Sequence, residues 1–477
     1  MSVYDWKYNT TAQTIGGKVL SMTQGKVLGG SSSINGMCWK RGTVDQYDSL
    51  GRLGNSGWNF ESLFHYMKKA EKYHLPNLKQ TSLGATAIPD AHGYYGKVNA
   101  GFPQPYEGAV VTDHLIMAAR ATIPNLAINL DVASGNPNGA ARFQFSIKPG
   151  NSTVVRPNGN VRSSSANAYI YPSLPEQPNF IILVGHQATS LVWRKLSGSL
   201  SFASGVKFIA TPLQDAKPGR EFDVKIENEA IVASGAIGSP HFLELSGVGD
   251  SRILKKVGIP VEASRVDLPA VGTNLQDQAL NIATYAIAPN ASASDYTILN
   301  APLTPAVAFA DIEQILGTNA AHIIAKDLVE SIPARAKAIV SSGAFTSESG
   351  MTKILAIQAE SIITHKVDPR FFISHDLDLY LKGNASRLAR KVFDTPALRQ
   401  YVNAELAPGL TVVPKDASDA QCQNFVIAGY GPVLHPVGSV PMLPRKDGGA
   451  VGPDLIVYGT SNVRVIGKSF IVYLEKT

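Results

Sequence analysis

A stretch rich in glycine and serine near the start of the chain has the residue types of a polar ligand-binding loop. It runs from Gly25 to Gly42 and contains a double glycine, three consecutive serines and an Asn-Gly pair. Glycine lets the backbone come close to a bound group and adopts φ values that other residues resist. The serines add N–H and O–H donors for an anion or for the polar edge of a ring. An ordinary surface turn has the same composition, so the stretch alone leaves both interpretations open.

His435 is the second residue whose type fits catalysis. It begins the segment His435–Met442, which also contains proline, glycine and serine. Imidazole titrates close to neutral pH, so a histidine can accept and release a proton in each turnover. Taken alone, a histidine before a proline is more simply a loop residue. His65, His186 and His241 have no motif around them, and we assign them no role.

The middle of the chain contains the pattern of a strand followed by a turn and a helix. Val224–Ala233 is typical of a strand, and a turn rich in glycine and serine follows it. Ser239 and Pro240 fit the cap and first position of a helix that ends at Gly247, and a second helix is predicted over Ser251–Val257. Such a unit can present a helix N-terminus to a dinucleotide. A plain βα unit without a ligand is the commoner alternative.

Other elements are predicted from apolar periodicity and from turn residues. Phe180–Val184 is apolar and largely β-branched, which predicts a buried strand. Pro76–Asn160 is rich in Gly, Pro and Asn, which favours an irregular cover with one helix at Asp113–Ala121. Further helices are predicted over Leu377–Arg390 and from Pro396 to about Leu406.

The composition is that of an ordinary globular protein. The chain has 477 residues, of which 44% are hydrophobic and 17% are charged, and its formal net charge is +6. This length suffices for two or three domains with separate cores. Lysine and arginine are scattered rather than clustered, which argues against a nucleic-acid partner. No apolar run reaches the roughly 20 residues that a membrane-spanning helix needs.

Features linked to secretion point in two directions. The first residues form no signal peptide, because they contain neither a basic nor an apolar region. Asn-x-Ser/Thr sequons favour a secretory history only weakly, because chance often produces such triplets. They begin at Asn9, Asn151, Asn290 and Asn384. The two cysteines, Cys38 and Cys422, are enough for one disulfide, but their spacing does not decide whether it forms.

Three stretches, in this order, resemble the glucose–methanol–choline (GMC) family of flavin oxidoreductases. The first is Gly25–Gly42, the second is Ala233–Gly249 together with Leu268–Gln278, and the third is His435–Val465. Each stretch is long and their order matches, so the three together are specific. Asn274–Gln278 and the third stretch are most similar to the branch of fungal glucose oxidases and FAD-dependent glucose dehydrogenases.

The resemblance implies an α/β fold with two parts. One is a Rossmann-like FAD/NAD(P)-binding domain, incomplete in its first βαβ unit and assembled from residues 1–45, 161–285 and 435–477. The other is an α+β substrate-binding domain with an antiparallel sheet and cover segments, formed by residues 46–160 and 286–434.

The resemblance also implies a reaction. In this family an alcohol C–H bond gives its hydride to N5 of FAD while a histidine removes the hydroxyl proton, and His435 matches that histidine. The implied substrate is an alcohol or a glucose-like sugar, and oxygen or a quinone is the implied electron acceptor. The flavin carries the redox chemistry, while the protein supplies position and electrostatics.

A further set of residues matches cofactor-binding positions of the family. Those of the opening loop are Gly29, Gly30, Ser31, Asn35, Gly36 and Cys38. Ala188 matches a position whose backbone meets the adenine, and Gly467 and Lys468 match positions beside the flavin ring. Without the resemblance, Cys38 is more simply a small apolar filler than a reactive thiol.

The sequence departs from the family pattern at several points. It contains no Gly-x-Gly-x-x-Gly, the motif whose backbone holds the FAD diphosphate. Gly467 stands where the family has Asp, and only Val367–Phe372 remains of a longer strand-rich stretch. The family's second catalytic His or Asn would fall beyond Thr477. We therefore expect a member truncated at both ends and, by family, secreted. The alternative is a catalytically inactive member or an incomplete gene model that binds FAD weakly or not at all.

Overall fold

The computed structural model describes residues 2–104, 110–150, 159–195, 200–211, 220–259, 266–289, 306–318, 367, 369, 371 and 376–471. The α-helices of these residues are α1 Val44–Arg52, α2 Phe60–Ala70, α3 Leu78–Ser82, α4 Val110–Thr122, α5 Tyr171–Ser173, α6 Gly235–Leu245, α7 Ser251–Lys256, α8 Ile312–Leu316, α9 Asp376–Phe393, α10 Pro396–Arg399 and α11 Asp419–Gly429. Short 3-10 turns occur at Gly30–Ser33, Pro89–Ala91, Arg445–Asp447 and Lys468–Phe470, and a π-helical turn occurs at Ala166–Ile170.

The strands are short and belong to several small sheets. In chain order they are β1 Tyr8–Asn9, β2 Ser21–Met22, β3 Cys38–Trp39, β4 Glu71–His74, β5 Val98–Gly101, β6 Gly139–Arg142, β7 Gln144–Phe145, β8 Ile147–Lys148, β9 Val161–Arg162, β10 His186–Lys195, β11 Ser201–Ala210, β12 Glu221–Lys225, β13 Ala230–Val232, β14 Val248–Gly249, β15 Val266–Asp267, β16 Ala279–Leu280, β17 Thr284–Ile287, β18 Ala306–Phe309, β19 Val402–Ala407, β20 Gly431–Pro432 and β21 Val463–Val465. The fold is therefore mixed α/β, as the sequence predicts.

A large apolar core surrounds the parallel pair β13–β21. Ala230 pairs with Val463 and Val232 pairs with Val465. β13 leads through a short turn into α6, and Leu243 of that helix is buried in the same cluster as both strands. Burial alternates along both strands, with Ile231 between the two buried residues of β13 53% exposed, so one face of the pair packs against the core. A strand, a turn and a helix occur in this order here, but the bounds of the strand and of the helix differ from those predicted.

The start of α6 differs from the prediction. The helix begins at Gly235, so Ser239 is not its cap and Pro240 lies in its interior. An interior proline lacks the N–H that would bond to the carbonyl four residues earlier, here Ala236. The hydroxyl of Ser439 donates a hydrogen bond to the Ala236 carbonyl instead. Because this donor comes from the loop after His435, a rule based on local sequence placed the helix start too late.

Two strand predictions are also wrong. Phe180–Val184 pairs with no described strand, and its side chains are largely exposed, with Ile181 at 83%. A β-branched run forms a strand only where a neighbouring backbone supplies hydrogen bonds. In this part of the chain the first residue paired with another strand is His186, at the start of β10. Val224–Ala233 is not one strand: its ends belong to β12 and β13, which lie in different sheets.

Two predictions about the remaining segments need correction. Pro76–Asn160 is not merely irregular, because β5, β6, β7 and β8 lie in it beside the predicted helix, α4. β3, β7, β5 and β4 form one mixed sheet. α10 ends at Arg399 rather than near Leu406, since the chain then forms β19, which pairs with β17. The tertiary pairing of β19 overrides its helical propensity.

A buried ionic network joins the end of the Gly25–Gly42 stretch to this mixed sheet. Arg41 donates to Glu71 at 2.9 Å. His92 lies between two carboxylates, with Nδ1 at 3.0 Å from Glu71 and Nε2 at 2.7 Å from Asp131. Trp39 donates its indole N–H to Glu71 as well. Burial of charge is costly unless the groups are paired and hydrogen-bonded, and here each of the four charged side chains has such partners.

Candidate active site

The opening loop closes on itself through its own hydroxyls. Gly29 and Gly30 have φ of 86° and 54°, in the left-handed region that glycine tolerates best. Ser32 donates to the Gly29 carbonyl at 2.6 Å, and Ser33 donates to the Leu28 carbonyl at 2.8 Å. Ser31 accepts the Gly25 N–H at 3.1 Å. These bonds fix the shape of the loop, so the hydroxyls of Ser32 and Ser33 serve its structure.

Residues near position 162 hold the exposed side of the loop. Arg162 donates to the carbonyl and to the side-chain oxygen of Asn35, both at 2.7 Å. Ser165 donates to the Gly29 carbonyl at 3.1 Å. Burial lowers the pKa of Arg162, although the guanidinium stays charged. Arg162 and Ser165 were not among the predicted site residues, because their short polar pattern gives no signal of this contact.

His435 is held by the segment that contains Gln276, Asp277 and Gln278. Gln276 and Val437 exchange backbone hydrogen bonds of 3.0 and 2.9 Å. The His435 N–H donates to Asp277 Oδ1 at 2.9 Å. On the ring, Nδ1 lies 2.8 Å from Oε1 of Gln278. With an amide oxygen as its partner, Nδ1 carries the proton and the lone pair is on Nε2.

The charges around His435 favour the neutral ring. Packing of protein around the imidazole, together with the positive charges of Lys468 and Lys40, lowers the pKa of His435 to about 4. The residue nevertheless keeps exposed surface. At neutral pH the imidazole is therefore uncharged and able to accept a proton. Burial also lowers the pKa of Lys468, while the carboxyl of Asp277 acts in the opposite direction.

The predicted residues from the C-terminal stretch lie together. The Gly438 N–H donates to the Lys468 carbonyl at 3.3 Å, so the loop after His435 lies directly beside Lys468. Gly467 has a φ of 90°, and no atom of the described residues, apart from its own chain neighbours, lies within 4 Å of the place where a Cβ would stand. The same open space occurs at Gly30. Both glycines therefore present bare backbone to the surroundings.

The remaining predicted residues lie on separate elements. Ser31, Asn35 and Cys38 are exposed along the opening loop and β3, and Gly36 lies between them. Ala188 is exposed on β10, opposite Phe208 of β11. Their contacts with a cofactor remain predictions.

The two cysteines are free thiols. Cys38 is exposed and Cys422 is buried in α11. Burial raises the pKa of the Cys38 thiol despite that exposure, so it is a weaker nucleophile than a free thiol at neutral pH. The raised pKa argues against a reactive group, whereas the exposure of Cys38 does not fit its interpretation as a small apolar filler.

Sequence reasoning missed three side chains that surround His435. The sequence assigns Asp277 and Gln278 only to a family motif, and it assigns no role to Lys40. Asp277 and Gln278 are adjacent at the end of Asn274–Gln278, which is the one sequence signal for them. A single sequence does not reveal, however, that this segment pairs with the one containing the histidine.

No helix in the described ranges is both long and apolar enough to cross a membrane. The same ranges contain no group of three or more His, Cys, Asp or Glu side chains placed to bind a metal ion. Of the sequons, Asn384 lies inside α9, where its amide nitrogen donates to the Tyr380 carbonyl at 2.9 Å. An amide engaged within a helix is a poor acceptor for a glycan.

Known proteins with similar sequences match nearly the whole chain. The N-terminal family model for GMC oxidoreductase matches residues 7–280, and the C-terminal model matches residues 358–473. The chain is 29% identical to the glucose oxidase-like protein fsoC of Humicola fuscoatra, covering 98% of this chain and 82% of that protein. It is 28% identical to a glucose oxidase of Aspergillus carbonarius (strain ITEM 5010), covering 98% of this chain and 79% of that protein.

A solved structure shows the same fold. The FAD-dependent oxidoreductase of Chaetomium thermophilum superposes with a TM-score of 0.80 at 23% identity, covering 99% of this chain and 86% of that chain. At 23% identity this similarity shows only that the two chains share a fold.

Proposed function

Because the chain belongs to the GMC oxidoreductase family, we propose that it is an FAD-dependent oxidoreductase acting on the CH–OH group of an alcohol or a glucose-like sugar. One observation carries the proposal: Nδ1 of His435 lies 2.8 Å from Oε1 of Gln278, an acceptor, which assigns the proton to Nδ1 and leaves the lone pair of Nε2 available. Among the described residues, no hydrogen bond occupies Nε2. A neutral imidazole in this state is a competent acceptor for a hydroxyl proton.

FAD is the cofactor of this family, and the residues present fit it. Gly30 and Gly467 offer backbone with positive φ and open space where a side chain would stand, which lets a planar ring or a phosphate approach closely. The residues that would hold FAD are Gly29, Gly30, Ser31, Asn35, Gly36, Cys38, Ala188, Gly467 and Lys468. Bound FAD supplies the acceptor for the hydride that leaves the alcohol carbon.

The chain's own residues supply the proton transfer. Nε2 of His435 takes the proton of the substrate hydroxyl, and Gln278 keeps the ring in the tautomer that allows this. The positive charges of Lys468 and Lys40, which act on the same ring, favour the negative charge that develops on the substrate oxygen. The arrangement supports abstraction of the proton from a neutral alcohol.

Further features of the proposal follow from the family resemblance. Oxygen or a quinone would reoxidise the flavin, and the protein would be secreted. The domain division into 1–45, 161–285 and 435–477 against 46–160 and 286–434 is likewise an expectation. It is consistent with the pairing of β13 with β21, which joins the last two segments of the first group.

The second candidate is a family member that binds FAD weakly or not at all. It is motivated by the lack of a Gly-x-Gly-x-x-Gly in the 477 residues. Without those backbone N–H groups, the diphosphate of FAD would lose part of its binding site.

Two measurements test the proposal. First, the purified protein, incubated with FAD and freed of excess cofactor, should show flavin absorbance bands. Second, glucose and simple alcohols are added without oxygen, and a substrate should bleach those bands. Absence of bound flavin would favour the second candidate.

With flavin bound, His435→Ala should slow substrate-dependent bleaching by at least about a hundredfold, as expected for loss of a general base. His65→Ala is the matched control, because His65 is exposed on α2. Equal bleaching rates in His435→Ala and the wild type would reject His435 as the base.

A further inference from the structure

Asp277 links two segments that are far apart in sequence. Its Oδ1 accepts the N–H of Gln278 at 2.7 Å and the N–H of His435 at 2.9 Å. The side chain is buried, with only 6% of the residue exposed. Its other oxygen, Oδ2, is buried and has no hydrogen-bond partner among the described residues. A buried carboxylate oxygen without a partner is costly, so its presence calls for a physical reason.

The backbone that Asp277 contacts is strained. Leu434, the residue before His435, has a φ of 69°, in the left-handed region that is unfavourable for a branched side chain. Such a conformation costs about 1–3 kcal/mol and persists only where surrounding contacts hold it. The Leu434 N–H also interacts with the Asp277 carboxyl. One carboxyl thus accepts a hydrogen bond from His435 and acts on the strained residue before it.

We propose that Asp277 is a positioning residue for His435: its carboxyl group holds the strained turn at residues 434 and 435 and places a negative charge opposite Lys468. The inference rests on the proposed role of His435 as the base and adds a second group to that site. Asp277 does not contact the substrate in this scheme. It acts through the backbone and through the charge around the ring.

The charges facing these groups predict how the effect depends on pH. Asp277 faces Lys468 and the His435 backbone, whereas the His435 ring faces Lys468 and Lys40. Burial raises the pKa of Asp277 to about 7, and the backbone N–H donors and Lys468 oppose that shift. As pH rises through this value, the carboxyl gains its negative charge. That charge offsets the positive charge of Lys468, which otherwise disfavours an imidazolium at His435, so the rate should rise with pH.

The main experiment compares Asp277→Asn with the wild type. Asparagine keeps an oxygen for the backbone N–H groups but removes the charge. In the protein without added FAD, the ¹⁵N resonances of the His435 ring should show an inflection near pH 7 in the wild type that is missing in Asp277→Asn. In the FAD-loaded protein, bleaching by the best substrate should fall roughly ten- to a hundredfold, and its rise with pH near neutrality should disappear.

Asp250→Asn is the matched control. Asp250 is also buried and accepts a backbone N–H, that of Arg252, but it caps α7 instead of facing His435. It should leave the His435 resonances and the bleaching rate unchanged. If Asp277→Asn matches this control in both measurements, the inference is wrong.

Leu434→Gly in an Asp277→Ala background tests the strain directly, because alanine, unlike asparagine, leaves no oxygen for the backbone N–H groups. Glycine adopts a φ of 69° without the steric cost that leucine meets. The double variant should regain part of the lost rate, because the turn then needs less support. If the bleaching rate does not recover, strain at Leu434 is not part of the role of Asp277.

Lys468→Met keeps the test decisive if Asp277→Asn does not fold. Since Lys468 lowers the pKa of Asp277, its removal should move the inflection in the His435 resonances to higher pH. An unmoved inflection would overturn the charge coupling. Failure of this inference can be told apart from failure of the proposed function. The resonance measurements need no turnover, and His435→Ala tests the base independently.

Discussion

At the scale of single residues, the state of one ring nitrogen decides what His435 can do. The 2.8 Å contact with Gln278 keeps the proton on Nδ1 and leaves Nε2 as the acceptor. Because neutral imidazole otherwise exchanges between two tautomers, loss of this contact would leave only part of the molecules ready to react. The hydrogen bond also fixes the orientation of the ring toward the substrate.

Gln278→Leu should therefore slow substrate-dependent flavin bleaching about tenfold or more, with a smaller change in the substrate concentration giving half-maximal rate. Rapid-mixing absorbance measurements under anaerobic conditions provide both quantities. Gln400→Leu, at an exposed position after α10, controls for loss of a glutamine. A bleaching rate equal to that of this control would show that Gln278 does not orient the ring.

Residue identities were predictable where a long motif contains them. His435 stands out because the residues around it match a family pattern, and the same holds for the glycines and serine of the opening loop. The partners of His435 were not predictable, since Asp277 lies 158 positions away and meets it through the backbone. A hydrogen bond to a backbone N–H leaves no mark on side-chain spacing.

At the scale of elements, the interior proline of α6 ties that helix to the histidine loop. The carbonyl of Ala236 would be an unsatisfied acceptor in the core if Ser439 did not donate to it. Ser439 is fully buried and lies four residues after His435. The helix and the loop after His435 therefore share one hydrogen bond that neither could make alone.

We predict that Ser439→Ala lowers the free energy of unfolding by about 1–3 kcal/mol, because it leaves the Ala236 carbonyl buried without a donor. Pro240→Ala restores a backbone N–H at the position where the helix would use it. The Ser439→Ala substitution should then cost less in a Pro240→Ala background, and a double-mutant cycle by denaturant unfolding measures the difference. If the two substitutions change the free energy of unfolding additively, the Ser439 hydroxyl does not replace the N–H that Pro240 lacks.

This element also shows where local rules stop. Ser239-Pro240 fits a helix start by every local criterion, yet a tertiary hydroxyl lets the helix begin five residues earlier. Phe180–Val184 fails for the converse reason, because its propensity is strong but no described strand lies beside it. Elements whose partners are adjacent in sequence, such as α7 with Gly258 after it, were predicted within a residue.

At the scale of the whole molecule, the network of Arg41, Glu71, His92 and Asp131 makes stability depend on pH in both directions. Hydrogen bonds and charge from both carboxylates raise the pKa of His92 against the effect of its burial. Its contribution is thus fully present below the ordinary histidine pKa and is lost as pH rises through the raised value. Interactions with His92 lower the pKa of Glu71 and Asp131 despite burial. Their contribution is lost as pH falls through the lowered values.

His92→Ala should lower the free energy of unfolding by about 3–5 kcal/mol at mildly acidic pH, since it leaves the buried Asp131 without its cation and Glu71 with Arg41 alone. The difference from the wild type should shrink as pH rises above the folded-state pKa of His92. Denaturant unfolding at a series of pH values measures this trend. His114→Ala, at a histidine on α4 outside the network, is the comparison variant. A difference that stays constant with pH would show that His92 is neutral in the folded protein.

The two thiols give the molecule a pair of internal reporters. Cys38 is exposed at the loop that would face the flavin, so cofactor binding should slow its labelling by a thiol reagent. Cys422 is buried against α9, where a Cβ added at Gly383 would stand only 3.3 Å from the cysteine Cβ. A reagent therefore reaches Cys422 only when α9 and α11 separate. The rate of labelling at Cys38 therefore reports cofactor binding, whereas the rate at Cys422 reports the separation of α9 from α11.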